Sequence, residues 1–79
     1  MNVEIEQICR ILKKSNRGVE VDEAKPDLDL FAAGILDSIQ VLAFIELLEE
    51  ELSLSFDPVE ITAENFRSLT AIQCALRRY

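Results

Sequence analysis

The sequence predicts a single all-α domain with four helical segments, on three observations. Apolar residues recur at the 3.6-residue spacing of a helix in separate stretches. Helix-favouring Glu, Leu, Ile and Ala abound, whereas Gly and Pro occur only twice each. The chain has 79 residues, 49% of them hydrophobic, which suits one small packed core over residues 1–79 and no second domain.

The first helix is expected over residues 3–15. At about 100° per residue, Ile5, Ile8, Cys9 and Leu12 fall on one arc, with Glu4, Glu6, Arg10, Lys13 and Lys14 elsewhere. Gly18 signals a stop just beyond. A long connection follows over residues 16–37, and connections of that length in compact domains are often functional. Leu28, Leu30, Phe31, Ile35 and Leu36 are its expected apolar anchors, with a short helical turn near residues 28–32. Gly34 supplies a backbone conformation that other residues avoid. The second helix is expected over residues 38–52, with Asp37 as its N-cap and Gln40 completing a capping-box variant. Pro58 breaks the chain after it. Thr62 then caps a short third helix near residues 63–66. Ser68 caps a fourth, in which Leu69, Ile72, Ala75 and Leu76 share one arc. Arg77 and Arg78 suit the negative end of that helix's dipole.

The second helix carries two apolar faces. Val41, Phe44, Ile45, Leu48 and Leu52 fall within one arc of roughly 100° and form the expected core face. Ile39, Leu42 and Ala43 fall opposite, beside Glu46, Glu49 and Glu50, with Ser38 at the edge. Apolar groups ringed by carboxylates read as a docking patch. The alternative is that the preceding connection folds over Ile39 and Leu42.

The net charge is −7 and is concentrated: residues 22–64 hold 12 acids and one base, Lys25, while both ends are mildly basic. Such a field repels nucleic acid and anionic lipid, and steers basic protein partners inward. Glu4 and Glu6 interrupt the N-terminus before any signal-like segment, and the longest apolar run, residues 41–45, is too short to span a bilayer. A discrete cytoplasmic monomer without membrane insertion is expected. There is no His, and Cys9 and Cys74 match no metal-ligand spacing, so no metal site is expected. Cys9 falls on a core arc as a small hydrophobe, and Cys74 falls off the arc of the last helix.

Ser38 is the residue with chemistry to offer. Asp37 fills the cap position, which leaves Ser38 as the first helical residue with its hydroxyl free and near solvent. A phosphate ester there would sit near unpaired N–H groups and the positive end of the helix dipole. Asp37 opposes that slightly by charge, yet it offers a contact for a metal ion or basic residue on a modifying enzyme. Nucleophilic catalysis lacks a base: there is no His, no Gly-x-Ser-x-Gly turn, and no reason for Lys13, Lys14 or Lys25 to lie beside Ser38. Glu49-Glu50-Glu51 reads as a solvated helix face rather than a cation site. No residue is therefore expected to be catalytic.

The stretch LFAAGILDSIQVLAFIELLEEEL resembles the carrier-protein family of acyl, peptidyl and D-alanyl carrier proteins. The similarity runs from the first helix through Asp37-Ser38-Ile39 to ENFRSLTAI; the family usually has Leu where this chain has Ile39. The resemblance implies a four-helix bundle with a long first loop and a short third helix. It implies that a phosphopantetheinyl transferase attaches 4′-phosphopantetheine from coenzyme A to Ser38, and that cargo rides on the thiol of that arm as a thioester. It places Ile39, Leu42, Ala43 and Glu46, with Asp37 beside them, on the surface that partners read. LFAAGILDS looks more like discrete D-alanyl or aminoacyl carriers than fatty-acid carriers, and EITAENFRSL looks like discrete carriers of unusual polyketide extender units. The implied role is carriage of acyl or aminoacyl intermediates in a specialised pathway: nonribosomal peptide, polyketide extender-unit or D-alanylation-like. The implied partners are the transferase, a loading adenylating enzyme or acyltransferase, and downstream biosynthetic enzymes. The contrasting reading is a small acidic helical interaction module with no prosthetic group.

Overall fold

Helical spacing becomes helix at three places: α1 (Ile5–Ser15), α2 (Gln40–Leu52) and α3 (Leu69–Leu76). A computed structural model describes residues 1–79, and besides these helices it contains one 3-10 turn, Pro58–Glu60, and no strand. The expected four-helix bundle is thus corrected to three α-helices. Residues 63–66 form only a turn, in which Thr62 Oγ accepts from the Asn65 N–H at 3.2 Å and the Phe66 N–H reaches the Ala63 carbonyl at 3.3 Å. Between residues 57 and 66 only Phe66 is buried. A short segment with no apolar stripe lacks the packing that would repay helix nucleation.

α1 starts at Ile5 rather than at residue 3. Val3 lies before it and is buried all the same, its carbonyl accepting from Gln73 Nε2 at 3.0 Å. Ile8, Cys9, Ile11 and Leu12 are the buried positions, with Ile5 only half-buried. The stripe is wider than the expected arc because α1 packs against both α2 and α3, so a second row containing Ile11 is covered. α2 buries Phe44, Ile45 and Leu48, and half-buries Val41 and Leu52. It ends at Ser53, which adopts a left-handed φ of 52°; the Glu49 carbonyl accepts from the N–H of both Ser53 and Leu54. α3 begins as the sequence suggests: Ser68 Oγ accepts from the Ala71 N–H at 3.0 Å, and Leu69, Ile72, Ala75 and Leu76 are buried.

The connection before α2 is stapled to both neighbouring helices. Asn16 Nδ2 donates to the Ile35 carbonyl (3.0 Å), and the Cys9 thiol donates to the Val21 carbonyl (3.6 Å). On the α3 side, the Leu30 N–H donates to Arg67 (2.7 Å) and the Thr70 N–H to Pro26 (3.0 Å). Its buried anchors are Val21, Leu30, Ile35 and Leu36, with Phe31 half-buried. Leu28, expected among them, is 40% exposed. The helical turn falls at residues 29–33, where Asp29 Oδ1 accepts from the N–H of Phe31 and Ala32, and the Ala33 N–H reaches the Asp29 carbonyl. Gly34, at φ +75°, then reverses the chain so that the N–H groups of Ile35 and Leu36 both reach the Leu30 carbonyl. That reversal delivers Asp37 and Ser38 to the surface.

Candidate functional site

The capping residue of α2 lies three positions ahead of the regular helix. Asp37 Oδ1 accepts from the N–H of Ile39 (2.9 Å) and Gln40 (2.7 Å), and the Asp37 carbonyl accepts from the Val41 N–H at 2.9 Å. Asp37 is therefore the cap, as its position suggested, although Gln40 makes no reciprocal bond and the capping box is half-formed. Ser38 and Ile39 occupy the entry turn rather than the regular helix, which begins at Gln40. This corrects the expected start at residue 38. The Asp37 carboxylate holds the N–H groups of Ile39 and Gln40, so a phosphate on Ser38 would not find those two unpaired. The helix dipole still favours an anion there, and the Asp37 charge opposes it.

Ser38 is exposed, and its hydroxyl takes no part in the capping bonds. No lysine pairs with it: Lys14 is bound to Glu51 at 2.6 Å. No polar or charged side chain is buried anywhere in the molecule, so no acid or base is desolvated beside the serine. The chain contains no cluster of three or more metal-ligating side chains. Cys9 is buried, and burial pushes its thiol pKa up, which suits an inert core residue; Cys74 is exposed.

The outer face of α2 stays open. Ile39 is 78% and Leu42 58% exposed, and Ala43 and Glu46 are exposed beside them. The preceding connection does not fold over them; it spends its apolar residues on the core instead. The structure brings Asp37, Ser38, Ile39, Leu42, Ala43 and Glu46 onto one end and one face of the same helix.

Sequence periodicity did not reveal a cleft of about 320 Å³ next to Ser38, lined by Phe31, Val41, Ile45, Ile61, Ala63 and Phe66. Val41 and Ile45, which helical spacing places on the core face, also form the floor that α2 contributes here. Thr62 completes the wall. The one sequence signal for it was apolar residues around Pro58 within an acidic stretch. Val59 is 81% and Ile61 39% exposed, so neither is spent on the core. No helix is long and apolar enough to cross a membrane.

A sequence model of the phosphopantetheine attachment site matches residues 5–72. Comparison with curated proteins and with solved structures gives no match.

Proposed function

The chain belongs to the phosphopantetheine attachment-site family, and from that premise we propose that Ser38 is the attachment point and that the chain carries acyl or aminoacyl cargo between enzymes. Domains of this family bear covalently attached 4′-phosphopantetheine, act as carriers rather than catalysts, and meet a phosphopantetheinyl transferase and loading or downstream enzymes. The residues at Ser38 fit such a group. The hydroxyl is exposed and unspent, a rigid capped turn holds it, and an apolar cleft adjoins it. When bound, the group supplies a terminal thiol on a flexible arm, on which cargo is held as a thioester.

The chain's own residues supply the pedestal and the address. Asp37 fixes the entry turn by accepting from two backbone N–H groups, so the backbone that bears the serine is held in place. Ile39, Leu42 and Ala43 offer apolar contact, and Glu46 with Asp37 offers charge, on the side where an enzyme reaching Ser38 must approach. Charge complementarity of that kind favours fast, salt-sensitive encounter with basic partners. Tethering then raises the cargo's effective concentration at each partner's site without tight binding. The similarity of LFAAGILDS and EITAENFRSL to discrete carriers supports a specialised pathway over fatty-acid synthesis, with an adenylating enzyme or acyltransferase as loader.

The observation that carries this reading is the free, exposed Ser38 hydroxyl at a capped helix entry within a family match spanning most of the chain. Its test is intact mass after incubation with coenzyme A and a broad-specificity phosphopantetheinyl transferase. The expected result is a gain of one phosphopantetheine that Ser38→Ala abolishes. A folded protein that gains nothing, or a Ser38→Ala variant that still gains it, overturns the assignment; the first outcome leaves the acidic interaction module as the better description.

A further inference from the structure

We propose that Arg78 and Tyr79 form a clasp that holds residues 57–65 in place as the outer wall of the cleft beside Ser38. These two residues lie beyond the matched residues 5–72 and outside the helix that partners would read.

Residues 57–65 include no buried position, so packing does not fix them. Their backbone bonds are local: Glu60 to Asp57, Ile61 to Pro58 and Thr62 to Glu60. Every hydrogen bond from residues 57–66 to the rest of the molecule ends on Arg78 or Tyr79. The Asp57 N–H donates to the Tyr79 hydroxyl at 2.8 Å, and Arg78 donates to Glu60 Oε2 at 2.8 Å.

Each bond continues toward the cleft. Glu60 Oε2 also accepts from Asn65 Nδ2 (3.1 Å), and the same amide donates to the Glu60 carbonyl (2.7 Å). Arg78 therefore ties both ends of the stretch carrying Ile61, Thr62 and Ala63, which line the cleft. The Tyr79 ring meets Phe56 edge-on with centroids 5.2 Å apart, and Phe56 meets Phe66 in the same way at 5.5 Å. Phe66 is buried and lines the cleft from within. The clasp is itself anchored, since the Arg78 N–H reaches the Ala75 carbonyl and the Tyr79 N–H that of Leu76, both buried residues of α3. A wall with two side-chain tethers and no buried residue opens locally at little cost once the tethers are cut. Arg78 and Tyr79 are thus positioning residues for the surroundings of Ser38, and their importance for cargo rests on the carrier reading.

Amide hydrogen exchange of the full chain tests the clasp without any prosthetic group. In Arg78→Ala/Tyr79→Ala, the N–H groups of Glu60, Ile61, Thr62 and Phe66 should exchange at least about tenfold faster, while those of α1 keep their protection. Arg78→Lys should restore part of the protection, because it returns the charge opposite Glu60. Tyr79→Phe should release Asp57 yet leave Phe66 protected, because it keeps the ring contact. Unchanged exchange over residues 57–66 overturns the clasp, as does an equal acceleration in α1, which would signal mere loss of global stability. Mass gain at Ser38 in the parent chain is read separately: its absence removes the carrier reading and leaves the exchange result standing.

Discussion

Between α1 and α2 the chain buries Val21, Leu30, Ile35 and Leu36; between Asp57 and Asn65 it buries nothing. Both stretches are connections without an α-helix, but the first is stapled to the body by backbone carbonyls and apolar anchors, and the second by two surface side chains. On the carrier reading the difference suits two tasks. The first connection sets the position of Ser38, and a serine presented to an enzyme gains from a support that does not move. The second borders the cleft beside that serine, where support by two side chains alone makes local opening depend on those two contacts.

The largest expected effect separates the two connections directly. Leu30 is 1% exposed, its N–H bonds across the fold to Arg67 and its carbonyl closes the local turn with Ile35 and Leu36, so Leu30→Ala should cost about 2–5 kcal/mol through the cavity it leaves. Val59, 81% exposed, should tolerate Ala within about 0.5 kcal/mol. Urea unfolding of both variants checks this, and similar losses for the two would erase the contrast.

A smaller effect is expected where the rigid connection ends. Asp37→Ala removes both side-chain bonds to the entry turn and should cost about 1 kcal/mol, with faster exchange at Ile39 and Gln40. Asp37→Asn caps nearly as well, so it should keep that stability while losing the charge. If loading of Ser38 also slows in Asp37→Asn, the charge is read by the transferase independently of the cap. If Asp37→Ala unfolds at the parent's urea midpoint, the cap does not hold the turn.

Much of this division was legible in the residues. The spacing of Phe44, Ile45 and Leu48 marked the inner face of α2, and the Gly34-to-Ser38 element marked both the reversal and the cap, because local backbone chemistry dictates them. The third helix was not legible. Thr62 does accept the expected capping bond, but a cap gives only the first turn, and continuation depends on burial that residues 63–65 do not obtain. Leu28 misled for a similar reason: apolar character is visible in a sequence, but which of five apolar loop residues reaches the core depends on the register set by Asp29 and Gly34. The cleft was hidden because it joins residues as distant in the chain as Phe31 and Phe66, and its clasp because it depends on contacts between residues 18 and 22 positions apart, Glu60 with Arg78 and Asp57 with Tyr79.

The smallest stability effect is expected on the outer face of α2, and it sharpens the comparison between support and surface. Leu42 and Glu46 are exposed, so Leu42→Ala and Glu46→Lys should each leave the unfolding midpoint within about 0.5 kcal/mol of the parent. Both should slow transfer to Ser38, the first by removing apolar contact and the second by reversing the charge a basic partner meets. The Glu46→Lys effect should shrink as salt is raised, because exposed charges are screened beyond a Debye length, whereas the Leu42→Ala effect should persist. A transfer rate that neither substitution alters would place the partner's footprint elsewhere, and the exposed cleft wall at Ile61, with Val59 exposed two residues before it, would be the next surface to probe.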